Sequence, residues 1–526
     1  MFNNSNNTGQ QTKCPVPIIV INNRQLRDVT ADCLDALYTA SPEPIYNRAG
    51  CLVVIIFDDG QPNIEIISNS MLNGYFTRCA DYIAVVRDKE IETFPPPVVV
   101  RDILSLKRWN FPKLLALTAI PVIRPDGTIL TDSGYDEATR LYYCPENLNL
   151  PVIPKNPSEK EIKSAISLVL EPFVDFPFID DASHANALAM LLTTILRTLF
   201  TGSVPIALFD KNQQGTGASL CADVICIITS GKAAEMISQP VKEEEWQKLI
   251  LSILKKGQNI CVIDNLEYEL KGAALSTVLT QSVYTGRILG ISQVVTLPCW
   301  TVWMATGNNI RLGGDLSRRS IWIRQDAKVA QPWLREMNGF KFKHANLKNW
   351  ATKNRGKIIA AILLIARAWI LAGKPGAKNP VVLGGYKSWS KTIGGILSFM
   401  GVGGFLGNLQ EMYDEVDSEG PQWAVFFQTW HEILGEKPIT VKDLISELEN
   451  KPELVLALPI TKDAKHDFNR ILGSALRKKK DVRYSNNFML RKAGTEHKVV
   501  RWQVVDYTKI EHSPPEFPTL ASEGVN

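Results

Sequence analysis

Between residues 204 and 308 the sequence alternates apolar runs with amphipathic stretches, and this alternation constrains the fold more than any other feature. Three runs have the composition of buried strands: VPIALFD, NICVIDN and WTVWMATGNN. Helix-like segments separate them, including the charged KEEEWQKLILSILKKG. Strands that alternate with helices form parallel sheets, because each crossover returns the chain to the same edge. We therefore predict an α/β fold with a parallel sheet and helices on both of its faces.

A glycine-rich segment, QQGTGASL, follows the first of these strands and opens a helix. Successive backbone N–H groups of such a loop can surround phosphate oxygens, and the helix N-terminus adds positive potential. Gly215, Gly217 and the hydroxyl of Ser219 suit this use.

The phosphate-loop pattern is GxxxxGK[ST], and the segment departs from it at two positions. Asn212 stands where the first glycine is expected, and Ala218 stands where the lysine is expected. That lysine is the charge that grips the β- and γ-phosphates. By itself the segment therefore indicates only a tight turn between a strand and a helix.

The two later strands both end in polar residues that suit nucleotide hydrolysis. NICVIDN brings Asp264, which can hold magnesium through its water shell, with Asn265 beside it. WTVWMATGNN brings Asn308, an amide that can orient an attacking water or touch the γ-phosphate. Each feature alone is common in buried strands and turns. Their order within one α/β block favours an ATPase site.

Two adjacent arginines, Arg318 and Arg319, follow in GGDLSRRSIWI, between a glycine turn and a strand. An arginine that a subunit supplies to the active site of its neighbour would occupy such a place. A solvated turn is the alternative interpretation.

A chain of 526 residues is too long to fold around a single hydrophobic core. The composition on either side of the α/β block therefore predicts further domains. Short β-like runs separated by turns such as FPPPVVV and RPDGTIL predict a small α+β domain, closed by a linker, SGYDEATRLYYCPENLNLPVIPKNPS. Ser158 with Glu161 predicts a capped helix start. The expected layout is an N-terminal α+β domain at 1–155, an ATPase core at 156–345, a helical region at 346–437, a winged-helix-like domain at 438–510 and a disordered tail at 511–526.

The C-terminal region predicts two helices, TVKDLISELENK and AKHDFNRILGSALRKKK, followed by a two-stranded wing. Basic residues cluster at the end of the second helix, as phosphate contacts require: Arg477, Lys478, Lys479, Lys480 and Arg483. A solvated helix C-terminus is the alternative. The net charge of +4 neither supports nor excludes DNA binding, because the clustering of Lys and Arg matters more than the total charge.

Nine scattered cysteines without a CxxC pair predict reduced, mostly buried thiols of a cytoplasmic protein. The polar N-terminus lacks the apolar core of a signal peptide. The apolar segment from Ile358 to Ala372 is short and contains Arg367, so we expect a buried helix and no membrane span.

Taken together, these segments resemble the helicase-like AAA+ ATPases of phages and integrative elements, which are related to superfamily-3 helicases and are often fused to or encoded beside a primase-polymerase. The resemblance covers nearly the whole chain and is carried by SGYDEATRLYY, QQGTGASL, EEEWQKLILSILKKG, VIDN, LTQSVYTGRILG, ATGNNIRLGGDLSRRSIWI and LGSALRKKKDVRY. It implies ATP as fuel, Mg2+ as cofactor, a homo-oligomeric ring of hexamer type, single-stranded or forked DNA, and a separate primase or polymerase.

The resemblance also implies roles for individual residues. The nucleotide-binding loop comprises Gln214, Gly215, Thr216, Gly217, Ala218, Ser219 and Leu220. Ser219 and Asp264 hold the metal. The catalytic set is Asp264, Asn265, Asn308, Arg318, Arg319 and Glu245. Arg287 lies in a further family segment and meets either DNA or a neighbouring nucleotide.

Glu245 enters the catalytic set because its E-x-x-K spacing to Lys248 recurs in the family, whereas Asn265 cannot accept a proton. Glu244 and Glu267 are further candidates for the general base, and a solvated helix face is the alternative for each. For the N-terminal domain we find no acid pair of the kind a polymerase needs, so its expected role is ring assembly or partner docking.

The departure from the family is Ala218. A charge-assisted hydrogen bond contributes roughly 1.5–3 kcal/mol, so this chain should hydrolyse ATP poorly. Either a lysine was deliberately replaced or the site degenerated naturally, and the otherwise complete ATPase set favours replacement. The alternative function is a non-catalytic DNA-binding or initiator ring protein.

Overall fold

The computed structural model describes residues 16–509 except 59, 146–147, 288–293, 338, 417–418, 461–467, 485 and 497–498. The chain forms two compact units, Met1–Leu409 and Gln410–Asn526. The polar N-terminus with Cys14 and the expected tail at 511–526 lie outside the described residues.

The first part of the larger unit combines three helices with two three-stranded sheets around one apolar core. In chain order the elements are β1 (Ile18–Val20), α1 (Leu26–Ala40), β2 (Ile45–Arg48), β3 (Cys51–Asp58), β4 (Gln61–Ile66), α2 (Asn69–Cys79), β5 (Asp81–Val86), β6 (Lys89–Thr93) and α3 (Pro97–Leu106). The sheet orders are β1-β5-β6 and β2-β3-β4. The expected turn at FPPPVVV is present only at residues 94–96, between β6 and α3, because Pro97 begins α3. Proline suits a first helical position, where no intrahelical N–H bond is needed.

Five short strands follow: β7 (Ala116–Thr118), β8 (Val122–Ile123), β9 (Ile129–Leu130), β10 (Gly134–Asp136) and β11 (Leu141–Tyr143). The predicted linker therefore contains part of a folded sheet, of order β10-β11-β7. Asp136 fixes this segment, because its buried carboxylate pairs with Arg124 at 2.6 Å and accepts a bond from the Thr139 hydroxyl at 2.7 Å.

The central part of the unit is the predicted alternation of helices and strands. Its elements are α4 (Glu159–Leu170), α5 (Asp181–Ile195), β12 (Ile206–Lys211), α6 (Ala218–Ser230), β13 (Met236–Ile237), α7 (Glu243–Lys256), β14 (Ile260–Leu266), α8 (Ala273–Val278), β15 (Val283–Arg287), β16 (Val294–Pro298), β17 (Val302–Asn308) and β18 (Ser320–Gln325). The capping box at Ser158 is confirmed, since the Ser158 N–H donates to the Glu161 carboxylate at 2.8 Å.

Five of these strands form one parallel sheet of order β13-β14-β17-β12-β18. The α/β prediction is thereby confirmed. Strand β17 lies between β12 and β14, so the carboxyl ends of all three strands meet at one edge. Helix α6 packs on β12, β14 and β17, and β15 pairs with β16 as a separate antiparallel hairpin.

Two further helices complete the larger unit: α9 (Leu347–Leu371) and α10 (Lys387–Phe399). The segment expected as a buried helix forms the second half of α9, where most side chains are buried. Within the described ranges, no helix combines the length and apolarity that a membrane crossing needs. The cysteines that the structure describes are free and mostly buried, as expected.

The smaller unit has its own core of aromatic and aliphatic side chains. Its elements are α11 (Leu409–Val416), α12 (Glu419–Leu434), β19 (Ile439–Thr440), α13 (Val441–Asn450), α14 (Pro452–Ala457), α15 (Phe468–Lys478), β20 (Phe488–Glu496) and β21 (Val499–Asp506), with sheet order β19-β21-β20. Helix α14 was not expected. Helix α12, which we had placed in the helical region, supplies Trp423, Phe427 and Trp430 to this core.

Candidate functional site

The glycine loop leaves β12 at Lys211 and ends at the first turn of α6. Gly215 and Gly217 have φ of +78° and +112°, a region that other residues rarely adopt. Between them, the buried Thr216 hydroxyl donates to the Gln213 carbonyl at 2.7 Å. Gly217 is the N-cap of α6 and offers no side-chain cap, so the first N–H groups of the helix remain available to an anion.

Asp264 lies beside this helix start, at the point where β14 bends. The register of β14 against β17 shifts between Ile263 and Leu266, and Asn265 has φ of +52°. Such a bulge redirects a side chain out of the regular ladder. Here the bulge brings the Asp264 carboxylate to the Ser219 hydroxyl, which donates to Oδ1 at 2.9 Å.

Thr306 is the member of this cluster that sequence reasoning missed. Its buried hydroxyl donates to the same Asp264 oxygen at 2.6 Å and accepts the Asn265 N–H at 3.0 Å. Thr306 lies on β17, two residues before Asn308 and therefore on the same face of the strand. The available signal was a hydroxyl within an otherwise apolar run, VWMATGN.

Asn308 lies at the carboxyl end of β17, in register with Lys211 at the start of the loop. Its side-chain Oδ1 is buried and has no hydrogen-bond partner among the described residues. The segment after it is held by Asp210, which accepts the Ile310 N–H at 3.0 Å and whose pKa is raised by burial. A buried amide oxygen with no partner is suited to accept a hydrogen bond from a water or a ligand.

The two arginines differ in their surroundings. Arg319 donates from Nε to Asp315 at 3.0 Å and from Nη1 to the Ser276 carbonyl at 2.9 Å, and its bond to Asp315 lowers the pKa of that carboxyl. Arg318 is exposed, and the described part of the chain gives it no partner. Arg318 is therefore the arginine that remains free to reach another molecule.

Glu245 lies in the first turn of α7, with its carboxylate 2.7 Å from Lys248 Nζ. Both side chains are exposed, so the E-x-x-K spacing here forms a surface ion pair. Arg287 ends strand β15, next to residues outside the described ranges.

A cavity of about 260 Å3 opens beside the loop and was not foreseen. Gly215 and Leu220 line one side, and Phe176, Trp333 and Phe342 bring flat aromatic surfaces to the rest. Trp333 approaches so closely that a Cβ on Gly215 would lie 3.1 Å from its ring. Aromatic surfaces beside a polar loop suit a nucleobase.

Ala218 is the first residue of α6 and is 1% exposed. Its methyl group carries neither a charge nor a hydrogen bond, so the loop lacks the cation that the phosphate-loop pattern places here.

In the smaller unit the predicted basic cluster is only partly free. Lys479 lies 5.7 Å from the centre of a Trp423 ring, Arg483 lies 5.5 Å from that of Tyr507, and Lys480 pairs with Asp481 at 3.2 Å. Arg477 and Lys478 are exposed at the end of α15. These two side chains have no ion pair or ring contact with a described residue.

The sequence matches no protein-family model and no curated protein. Among solved structures it is similar to the C-terminal region of NrS-1, at 11% identity over 86% of this chain and 96% of that one, with a TM-score of 0.36. It is also similar to the SCCmec type IV Cch active helicase, at 12% identity over 89% and 93% of the two chains, with a TM-score of 0.32. JCV helicase gives 9% identity, 52% and 65% coverage and a TM-score of 0.23. These scores establish no common architecture, so the functional argument rests on the residues themselves.

Proposed function

We propose that this protein is an ATP-dependent DNA helicase that works as a ring, of hexamer type, in the replication of a phage or mobile element. The observation that carries the proposal is the contact of Ser219 and Thr306 with one oxygen of Asp264, directly beneath a glycine loop. A hydroxyl and a carboxylate at the foot of an anion-binding loop are the groups that hold a magnesium nucleotide.

Magnesium fits the residues present, because Ser219 and Asp264 offer hard oxygen donors 2.9 Å apart. Over the described ranges no cluster of three or more His, Cys, Asp or Glu could hold a metal, so phosphate oxygens and water would complete the shell. When bound, the cation would neutralise phosphate charge. In this proposal Thr306 holds the carboxylate through its hydrogen bond, and the Asn308 amide orients the attacking water.

Arg318 supports a site shared between subunits. It is exposed just before β18, whose amino end pairs with the amino end of β12, so it lies at the sheet edge opposite the glycine loop of its own chain. Its neighbour Arg319 is already bound to Asp315. In this proposal Arg318 completes the active site of the adjacent protomer, which would require a closed ring.

DNA binding is supported by the smaller unit. Three helices, α13 to α15, precede an antiparallel pair of strands, and β19 adds to the same sheet. This is the order of a winged-helix domain, with α15 in the place of the helix that approaches DNA. Arg477 and Lys478 would contact phosphates there.

Ala218 favours a second candidate, a ring that assembles on DNA as an initiator without hydrolysing ATP. This candidate keeps the fold and the DNA contacts but assigns no turnover to the site. The two candidates differ in whether ATP is hydrolysed at the site.

A Thr306→Val change should weaken magnesium-dependent binding of a fluorescent ATP analogue by about tenfold. It removes the hydroxyl that holds Asp264 and leaves the Asn265 N–H unpaired, a loss of roughly 1–3 kcal/mol. Titration of the analogue at fixed protein concentration, with magnesium or with EDTA, measures the effect.

Thr301→Val is the matched control, because Thr301 is buried just before the opposite end of the same strand and donates to the Gln258 carbonyl at 2.7 Å. It should leave the magnesium-dependent binding unchanged. Equal loss in both variants would mean that only general stability had changed, and no loss in either would argue against the magnesium site.

Replacing Arg477 and Lys478 by Ala in the full chain should weaken binding to duplex or forked DNA about equally for all sequences. The slope of log K against log salt should become shallower by about 2, since each lost phosphate contact removes about 0.9. The control is the double change Lys451→Ala and Lys509→Ala, whose ammonium groups already pair with Glu447 and Asp506. An unchanged slope at the first pair would assign these residues to a solvated helix end.

A further inference from the structure

The chain changes character sharply after Glu336. Residues 337 to 410 contain no Asp or Glu and eleven Lys and Arg. Such a run produces a strong positive field, and some of its members are used inside the protein, as when Arg355 donates to the Ile228 carbonyl. The remaining lysines require another explanation.

Several of them border a groove of about 730 Å3 between the loop at 374–382, helix α10 and the glycine-rich turn at 401–407. Lys374 donates to the Pro125 carbonyl at 3.0 Å, which fixes one end of the loop. Lys378 and Lys391 line the groove, and neither has an ion pair or hydrogen bond with any described residue. Lys387 is exposed one turn before Lys391, on the same face of α10.

The groove also presents unused backbone donors. The N–H groups of residues 376–379, 381–382 and 403–405 make no hydrogen bond with another described residue. Rows of backbone N–H groups in glycine-rich loops form concave sites for anions. Lysines and amides together are the donors that phosphate oxygens accept from.

Two glycines in the groove are not explained by the fold itself. A Cβ added to Gly376 or Gly403 would meet nothing within 4 Å, and neither residue has φ in the left-handed region that favours glycine. Gly404 differs, because its φ is +82° and a Cβ there would lie 2.8 Å from the Asp181 carbonyl carbon. An open glycine is useful where an external group approaches the main chain closely.

We propose that this groove binds the phosphate backbone of a single DNA strand, outside the nucleotide site and outside the basic helix of the smaller unit. The inference rests on the proposed function in assigning DNA as the partner. Lys378, Lys387 and Lys391 supply charge, and the main chain at Gly376 and Gly403 supplies close contact. Because these contacts are made to phosphates, binding is independent of sequence.

The charge part of the proposal is tested in the full chain by the triple change Lys378→Ala, Lys387→Ala and Lys391→Ala. Fluorescence anisotropy with a labelled oligothymidylate, over a range of KCl, measures binding. The Kd should rise by about tenfold or more, and the slope of log K against log salt should become shallower by about 2, as expected for three contacts to a single strand.

The control is the triple change Lys155→Ala, Lys160→Ala and Lys163→Ala. It removes the same charge at exposed positions that are distant in sequence from the groove lysines. It should leave the slope nearly unchanged. Equal effects of the two triples would show that only net charge matters and would overturn the groove. Unchanged DNA binding by the variant that lacks the three groove lysines would also overturn the proposal. The groove would then be assigned to an acidic protein.

The backbone part of the proposal is tested by glycine substitutions that leave the charge unchanged. Gly376→Ala with Gly403→Ala should weaken binding severalfold by placing methyl groups where the strand lies, while thermal unfolding stays the same. Gly384→Ala is the control, since a Cβ there also meets nothing within 4 Å and Gly384 does not line the groove. Unchanged binding in the double variant would remove the backbone part of the proposal.

Failure of the groove and failure of the proposed function are distinguishable. DNA binding by the groove is measured without hydrolysis, whereas the proposed function is judged by turnover in an Ala218→Lys protein. The groove triple in that background should keep its ATPase rate without DNA and lose stimulation by single-stranded DNA.

Discussion

An Ala218→Lys protein should hydrolyse ATP roughly ten to a hundred times faster than the unmodified chain when DNA is present. The estimate follows from a charged hydrogen bond of roughly 1.5–3 kcal/mol to the phosphates, at about 1.4 kcal/mol for each factor of ten. Gly215, Gly217, Ser219 and Asp264 already supply the rest of the phosphate and magnesium site. Steady-state phosphate release with forked DNA measures the rate.

Ala218→Met is the matched control for this change. Methionine has nearly the length of lysine but no charge, so it tests whether filling a position that is 1% exposed is sufficient. We expect the Met variant to remain as slow as the unmodified chain. Equal rates in the Lys and Met variants would contradict the phosphate contact and favour the initiator ring.

In the Ala218→Lys background, Arg318→Ala should lower the rate of hydrolysis by about a thousandfold while nucleotide binding stays nearly constant. An arginine supplied to a neighbouring site stabilises charge in the transition state and contributes about 10³–10⁵ to the rate. Single-turnover hydrolysis and equilibrium binding of a fluorescent nucleotide separate the two effects.

Arg319→Ala gives the contrast, because Arg319 is held by Asp315 and the Ser276 carbonyl within its own chain. Its loss should lower the thermal stability of the turn more than the chemical rate. Mixing Arg318→Ala subunits with Asp264→Ala subunits should restore some turnover at mixed interfaces. A complete lack of turnover in rings shown to mix would place the arginine in its own subunit's site.

Local patterns were sufficient for the elements that surround the site. The apolar runs ending in VIDN and ATGNN become β14 and β17, and Ser158 caps α4 together with Glu161 three residues later. These features depend on hydrogen bonds and periodicities within a few residues. The parallel sheet followed from their alternation.

Contacts between segments that are distant in the sequence could not be predicted from local patterns. Thr306 joins Asp264 only because β17 lies between β12 and β14, and local spacing does not determine strand order. Trp333 lines the cavity beside Gly215 although more than a hundred residues separate them. The opposite error concerns Pro97 and Asp136. Proline and polar composition indicated a turn and a linker, but Pro97 occupies the first position of α3 and Asp136 forms a buried ion pair.

The central claim is that ATP turnover at this site drives strand separation, and it is tested most directly with the Ala218→Lys protein on a labelled forked duplex. We predict that the strands separate with ATP and magnesium, and that they stay paired with a non-hydrolysable ATP analogue or when Arg318→Ala is added. DNA-stimulated ATP hydrolysis without strand separation, on forks with either single-stranded arm extended, would contradict the helicase assignment.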